Sequence, residues 1–293
     1  QDKTPNAPYR ICAIQSGWRD NMDLMGYYNY FEHKYHETEF FRALYLANLP
    51  KYQDTIFFII LDEMNLSRPE HYFADFLSLL EQDEEQRFIE INGPAEVLPK
   101  EAEGGKLRVP KNVRFIGTAN QDETTLSFAP KTYDRSNLLV MPKNIKPVTA
   151  TESNDYFITY SWLARQFNDA NTRHNKYYLT FKEFYESKTI KDLLSAKNIG
   201  IGNRFDKQAR LFITTFVESG EKGSIAESES LAIAADHLIS SRLLRSLGNN
   251  YELTKSELQE FREKFNKEFK SKFGFPCDLS DKMLEEFIQK KSN

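Results

Sequence analysis

Two adjacent carboxylates, Asp62 and Glu63, close the apolar run of "TIFFIILDEMN". Further on, a second apolar run, "VRFIGTAN", ends in the amide of Asn120, and the loop "APKTYDRSN" then carries Arg135. Acids and an amide at the ends of neighbouring strands suit hydrolysis of a nucleoside triphosphate. One carboxylate holds a magnesium ion directly or through water, the next orients the attacking water, and the amide positions that water or senses the γ-phosphate. A basic residue on the loop after the sensing strand is placed to reach the γ-phosphate of a neighbouring subunit. Taken singly, the acid pair also describes a strand ending at a solvated turn, and Arg135 an arginine that pairs with the preceding acid or caps a helix. The three stretches in this order are far more specific.

The elements that must position these groups follow from apolar spacing. Arg10 to Gln15 and Ile56 to Leu61 read as strands, Thr38 to Asn48 as a helix, and Pro69 to Glu81 as one helix with proline in its first turn. Residues 87–112 read as a polar hairpin with Asn92-Gly93 and Gly104-Gly105 as turns, and Val113 to Asn120 as another buried strand. Strands alternating with helices predict a parallel α/β sheet, whose ligand crevice lies beyond the carboxyl ends of the strands. That is where Asp62, Glu63 and Asn120 fall. After a Pro- and Thr-containing connector the pattern turns helical, with segments at 156–171, 205–218, 228–247, 253–273 and 280–291. The boundary is drawn between an α/β core at 1–145 and a helical part at 146–293. "RFDKQARLFITTFVESG" reads as a helix stopping at Gly220, and the Lys-rich 256–273 as a solvated helix face.

Composition narrows the class. A chain of 293 residues holds one large domain or two ordinary ones. The longest apolar run, about Ile56 to Leu61, is far short of the roughly 20 residues that cross a bilayer. Two cysteines, Cys12 and Cys277, in no metal or redox spacing, read as a reducing, cytoplasmic setting. Residues 1–145 carry 16 basic and 22 acidic side chains and residues 146–293 carry 23 and 21, so neither half has the basic excess of a phosphate-gripping nucleic-acid binder. The five histidines show no zinc-type spacing with acids or cysteines, and "SGW" at Ser16 lacks the frame of a nucleophile elbow.

Three stretches together carry a resemblance: "SGWRDNMDLMGYYNYF", "FFIILDEMNLSRPEHYFADFLSLLE" and "RFIGTANQDETTLSFAPKTYDRSN". They are similar to the AAA+ module of the McrB-like group, the motor subunits related to modification-dependent restriction systems. The resemblance covers residues 10–140 closely and the helical half only loosely. It implies an AAA+ type parallel sheet with flanking helices and a helical lid. It also implies Asp62 as the magnesium ligand, Glu63 as catalytic base, Asn120 as sensing residue and Arg135 as the finger acting in trans. Asn65 would be a polar neighbour of the hydrolytic site, and Arg204 a second sensor on the lid. By the same resemblance the cofactors are Mg2+ and ATP or GTP, and the full-length protein forms a hexameric ring. Its partners are a McrC-like nuclease and, through other domains, DNA. Glu123 and Thr124 stand where the restriction motors carry Asp and Arg, which leaves ATP or GTP and the restriction role open. A protein remodeller and a catalytically silent assembly module are the alternatives.

A motor of this kind also needs a phosphate loop, Gly-x-x-x-x-Gly-Lys-Ser/Thr, and none occurs in the 293 residues. In the group it precedes the tryptophan segment. Either the chain is the carboxyl-terminal part of a longer protein, with the loop and the first strand upstream of Gln1, or it is a degenerate relative that lost nucleotide binding. The first is expected, and with it that the chain is inactive by itself.

Overall fold

The structure is a computed structural model that describes residues 7–94, 97–120, 128–133, 135–141, 158–196, 202–245 and 253–291. The chain divides into two compact units, Gln1–Leu163 and Ala164–Asn293. The first extends past the boundary drawn at residue 146 because the 158–161 segment is tied to it. Thr159 bridges to Thr55, and Ser161 donates from its N–H and hydroxyl to the Asp54 carboxylate at 2.7 and 2.9 Å.

In the first unit the chain order is β1 (Tyr9–Ala13), α1 (Asn21–Met25), β2 (Gly26–Asn29), β3 (Lys34–Glu37), α2 (Glu39–Asn48), β4 (Phe57–Asp62), α3 (Pro69–Tyr72) and α4 (Ala74–Leu79). It continues with β5 (Phe88–Glu90), β6 (Lys106–Arg108), β7 (Val113–Gly117) and α5 (Pro130–Tyr133). The expected parallel sheet is present, three strands in the order β1-β4-β7. Register places Ala13 beside Asp62 and Leu61 beside Gly117, so the three carboxyl ends lie level around the acid pair.

Phe57, Ile59 and Leu61 of β4 are buried against α2, α3 and α4 through Phe40, Phe41, Tyr72, Phe73 and Phe76. That alternation differs from the two-sided burial expected of a central parallel strand. Ile60 on the other face has Ile11 and Ile116 beside it, and these two are 56% and 43% exposed. Among the described residues this second face is half open.

Three local expectations are corrected. Residues 69–81 form two helices, because Phe73 (φ −110°, ψ 11°) leaves the helical path while its ring packs in an aromatic cluster with Phe40, Phe76 and Phe115. The 87–112 hairpin pairs only β5 with β6, and its connection is a long loop whose Ile91 and Ala102 are buried, so Asn92-Gly93 is not a tight hairpin turn. A further antiparallel ribbon, β2 with β3, was not expected. It starts at Gly26, whose φ of 92° and closeness to the His36 carbonyl, 2.1 Å from where a Cβ would stand, admit only glycine.

The second unit holds α7 (Asn175–Tyr185), α8 (Lys188–Ala196), α9 (Asn203–Lys222), α10 (Glu227–Leu238), α11 (Lys255–Phe273) and α12 (Asp278–Lys290), preceded by most of α6 (Tyr160–Arg173). Residues Ile239–Leu244 prolong α10 as a π-helical stretch. All its described elements are helical, as expected, but α7 and α8 were missed. α9 does not stop at Gly220. It runs on to a cap at Gly223, and Gly220 is buried where α10 comes so close that a Cβ would meet Ser230 Oγ at 1.9 Å. Nor is α11 only a solvated face: Leu258, Phe261, Phe265, Phe269 and Phe273 line its core side at helical spacing, and Thr254 and Glu257 form a capping box at its start.

Candidate functional site at the carboxyl edge of the sheet

The site is built where β4 and β7 end. The Thr118 hydroxyl donates to Asp62 Oδ1 at 2.7 Å and accepts the Glu63 N–H at 2.9 Å. Its backbone adds two more ties, Thr118 N–H to the Leu61 carbonyl at 3.0 Å and Met64 N–H to the Thr118 carbonyl at 2.8 Å. Glu63 is thereby held at φ 54°, ψ 46°, a left-handed conformation that costs a non-glycine residue of order 1–3 kcal/mol and concentrates at functional sites. Asp62 is half-buried and Glu63 exposed, so the second carboxylate stands out over the strand end.

Beneath the pair the turn is packed rigidly. Buried Asn65 donates from Nδ2 to the Asn120 carbonyl at 2.7 Å, joining the two predicted polar residues across the strand ends. Asn120, three residues past the end of β7, is exposed. The Tyr72 hydroxyl donates to the Met64 carbonyl at 2.8 Å, and Trp18 meets the Tyr72 ring edge-on at 5.4 Å. Buried Ser67 accepts the N–H groups of Gly17 and Trp18 at 3.0 and 3.1 Å and donates to the Gln15 carbonyl at 2.9 Å. Ser67 therefore clamps the loop after β1 to the turn after β4. Thr118 and Ser67 are the organising residues that sequence reasoning missed. The available signal was a hydroxyl just past each strand end, where a side chain can bond loop backbone.

Asp62, Glu63, Asn65 and Asn120 are thus brought together. Arg135 is in the same unit, at the end of the turn after α5, in an ion pair with Glu81 beyond α4. Arg204 belongs to the second unit, exposed in the first turn of α9. Glu123 and Thr124 lie outside the described residues. Burial, the largest influence, pushes the Cys12 and Cys277 thiols up to about 12, so neither is a thiolate nucleophile.

The donor set of the edge, carboxylates with amides and hydroxyls behind them, is that of a hard cation such as magnesium. It supplies acid, base and water-orienting groups but no lysine-bearing phosphate cradle. No helix among the described residues is long and apolar enough to cross a membrane. A scan against protein-family models and a search of curated proteins each found no match.

Proposed function

We propose that the first unit is the hydrolytic part of an AAA+ nucleoside triphosphatase of the McrB-like group and that the second unit is its helical lid. The observation that carries this reading is the pair Asp62 and Glu63 at the end of the central parallel strand, with the acid turn fixed by a hydroxyl from the neighbouring strand. On this reading Asp62 holds Mg2+, which when bound supplies charge neutralisation at the phosphoryl oxygens. Glu63 orients the attacking water and takes its proton, Asn120 holds that water from the adjacent strand end, and Arg135 and Arg204 serve as finger and second sensor. This reading also requires a phosphate loop, Gly-x-x-x-x-Gly-Lys-Ser/Thr, which does not occur in the 293 residues. The nucleotide is ATP or GTP, the assembly a six-membered ring, and the coupled work DNA restriction or control of a McrC-like nuclease.

Turnover by a protein that includes the upstream segment, measured with and without DNA, tests the proposal. DNA-stimulated turnover that Glu63→Gln abolishes is expected, and no turnover makes the unit an assembly scaffold. One observation favours the remodeller alternative. Tyr30 and Phe31, at the tip of the β2–β3 ribbon, are 72% and 97% exposed, a surface suited to gripping protein. Turnover indifferent to DNA decides for it.

A further inference from the structure

In the second unit, a histidine and two glutamates more than forty residues away from it in sequence bring their ligand atoms to one spot. His174, at the junction of α6 and α7, places Nε2 2.9 Å from Glu218 Oε2 and 3.7 Å from Glu221 Oε2, and these ligand atoms all lie within 4.8 Å of one another. Glu218 and Glu221 share one face of the last turns of α9. A tetrahedral ion with bonds of about 2.0–2.2 Å sets its ligands about 3.3–3.6 Å apart, a range that the two separations bracket.

The second, independent observation is the other ring nitrogen. The His174 side chain is 5% exposed, and its buried Nδ1 has no hydrogen-bond partner, although Glu227 Oε1 on the first turn of α10 faces it at 3.5 Å. A neutral ring protonated on Nε2 leaves a bare Nδ1 lone pair turned towards a carboxylate. A ring protonated on Nδ1 points its Nε2 lone pair at two carboxylates instead. A doubly protonated ring donates to both sides, an alternative that nitrogen NMR decides. For the neutral ring, a cation between Nε2 and those oxygens takes the lone pair and directs Nδ1–H at Glu227, the carboxylate–histidine–metal arrangement of many zinc sites. We propose that His174, Glu218 and Glu221 bind one zinc-class divalent ion, with Glu227 orienting the histidine and water completing the shell on the exposed Glu221 side. A histidine nitrogen in the set selects against Ca2+ and Mg2+. Arg173 and Lys222 contact the other Glu218 oxygen, Oε1, at 2.9 and 3.1 Å and are more than half exposed, so both can stay as outer partners.

The test is zinc titration of the metal-free chain against a chromophoric chelator. One ion per chain is expected, lost in His174→Ala, weakened at least tenfold in Glu221→Gln, and weakened roughly 10–100-fold in Glu227→Gln. Glu221 is 58% exposed, so its replacement leaves the fold intact, which circular dichroism checks. Cobalt in place of zinc gives a visible absorption band that both ligand variants remove. Absence of binding, binding indifferent to His174→Ala and Glu221→Gln, or nitrogen NMR showing both His174 ring nitrogens protonated in the presence of zinc overturns the proposal.

Discussion

Thr118, just past the neighbouring strand, donates its hydroxyl to Asp62 Oδ1 at 2.7 Å, while its own Oγ1 accepts the Glu63 N–H at 2.9 Å. A single hydroxyl thus fixes the direction of one carboxylate and the left-handed backbone of the next. Thr118 is exposed, so Thr118→Val is expected to cost under about 1 kcal/mol of stability. In a nucleotide-hydrolysing form of the protein it is expected to lower kcat by roughly 10–100-fold with nucleotide affinity kept, as for other orienting partners of an ion site. Thr118→Ser restores kcat. Equal losses in the valine and serine variants would show that the hydroxyl has no positioning role.

The ion pair of Arg135 with Glu81 makes a second, separable prediction. If Arg135 serves a neighbouring subunit, it must leave Glu81 to do so. Arg135→Ala is then expected to cut turnover of the assembled form by about 10³-fold or more, whereas Glu81→Gln, which frees the guanidinium, leaves it equal or higher. Turnover lost equally in both variants would make the pair a structural tie only. Mixing the Arg135→Ala and Glu63→Gln proteins sharpens the assay, because each can supply what the other lacks at alternate interfaces.

How much of this was readable beforehand differs from element to element. The strand ending at Asp62 and the one starting at Val113 were legible because short apolar runs bounded by polar turns leave few alternatives, although the second ends at Gly117 and not at Asn120. The break at Phe73 was not, since every residue from Pro69 to Leu79 tolerates a helix, and what bends the chain is tertiary packing of one ring on Phe40 and Phe115. The β2–β3 ribbon was hidden by its turn, which carries no Asn-Gly but His33 at φ 50°. The histidine and glutamates of the second unit are more than forty residues apart, a separation at which no spacing rule operates.

Gly220 illustrates the same limit and is directly testable. Read locally it ends a helix. In the structure it admits Ser230 against the α9 backbone. Gly220→Ala is expected to destabilise the second unit by about 1–3 kcal/mol in urea melts, since the neighbour is packed and cannot yield freely. Combining it with Ser230→Gly, which removes the clashing hydroxymethyl, recovers most of that loss. A stabilising Gly220→Ala, as helix propensity alone predicts, would contradict the close approach.

The pH dependence of the second unit follows from Arg262 and Asp281. Arg262 grips the carboxylate with both ends of its fork, Nε to Oδ1 at 2.6 Å and Nη2 to Oδ2 at 2.7 Å, and the two side chains are 29% and 31% exposed. Chiefly through that arginine, and further through Asn266, the Asp281 carboxyl is held below its ordinary value. A lowered folded-state pKa means that the stabilisation is fully present above the unfolded value of about 3.9 and is lost as pH falls through the folded one. Asp281→Asn is therefore expected to destabilise this unit by roughly 1–3 kcal/mol at neutral pH, with the gap to the parent protein closing as pH falls below the unfolded carboxyl value and through the lowered folded one. Denaturant melts of the two proteins at several pH values measure the gap. A difference that stays constant down to acid pH would place the contribution in shape and packing rather than in the charged pair.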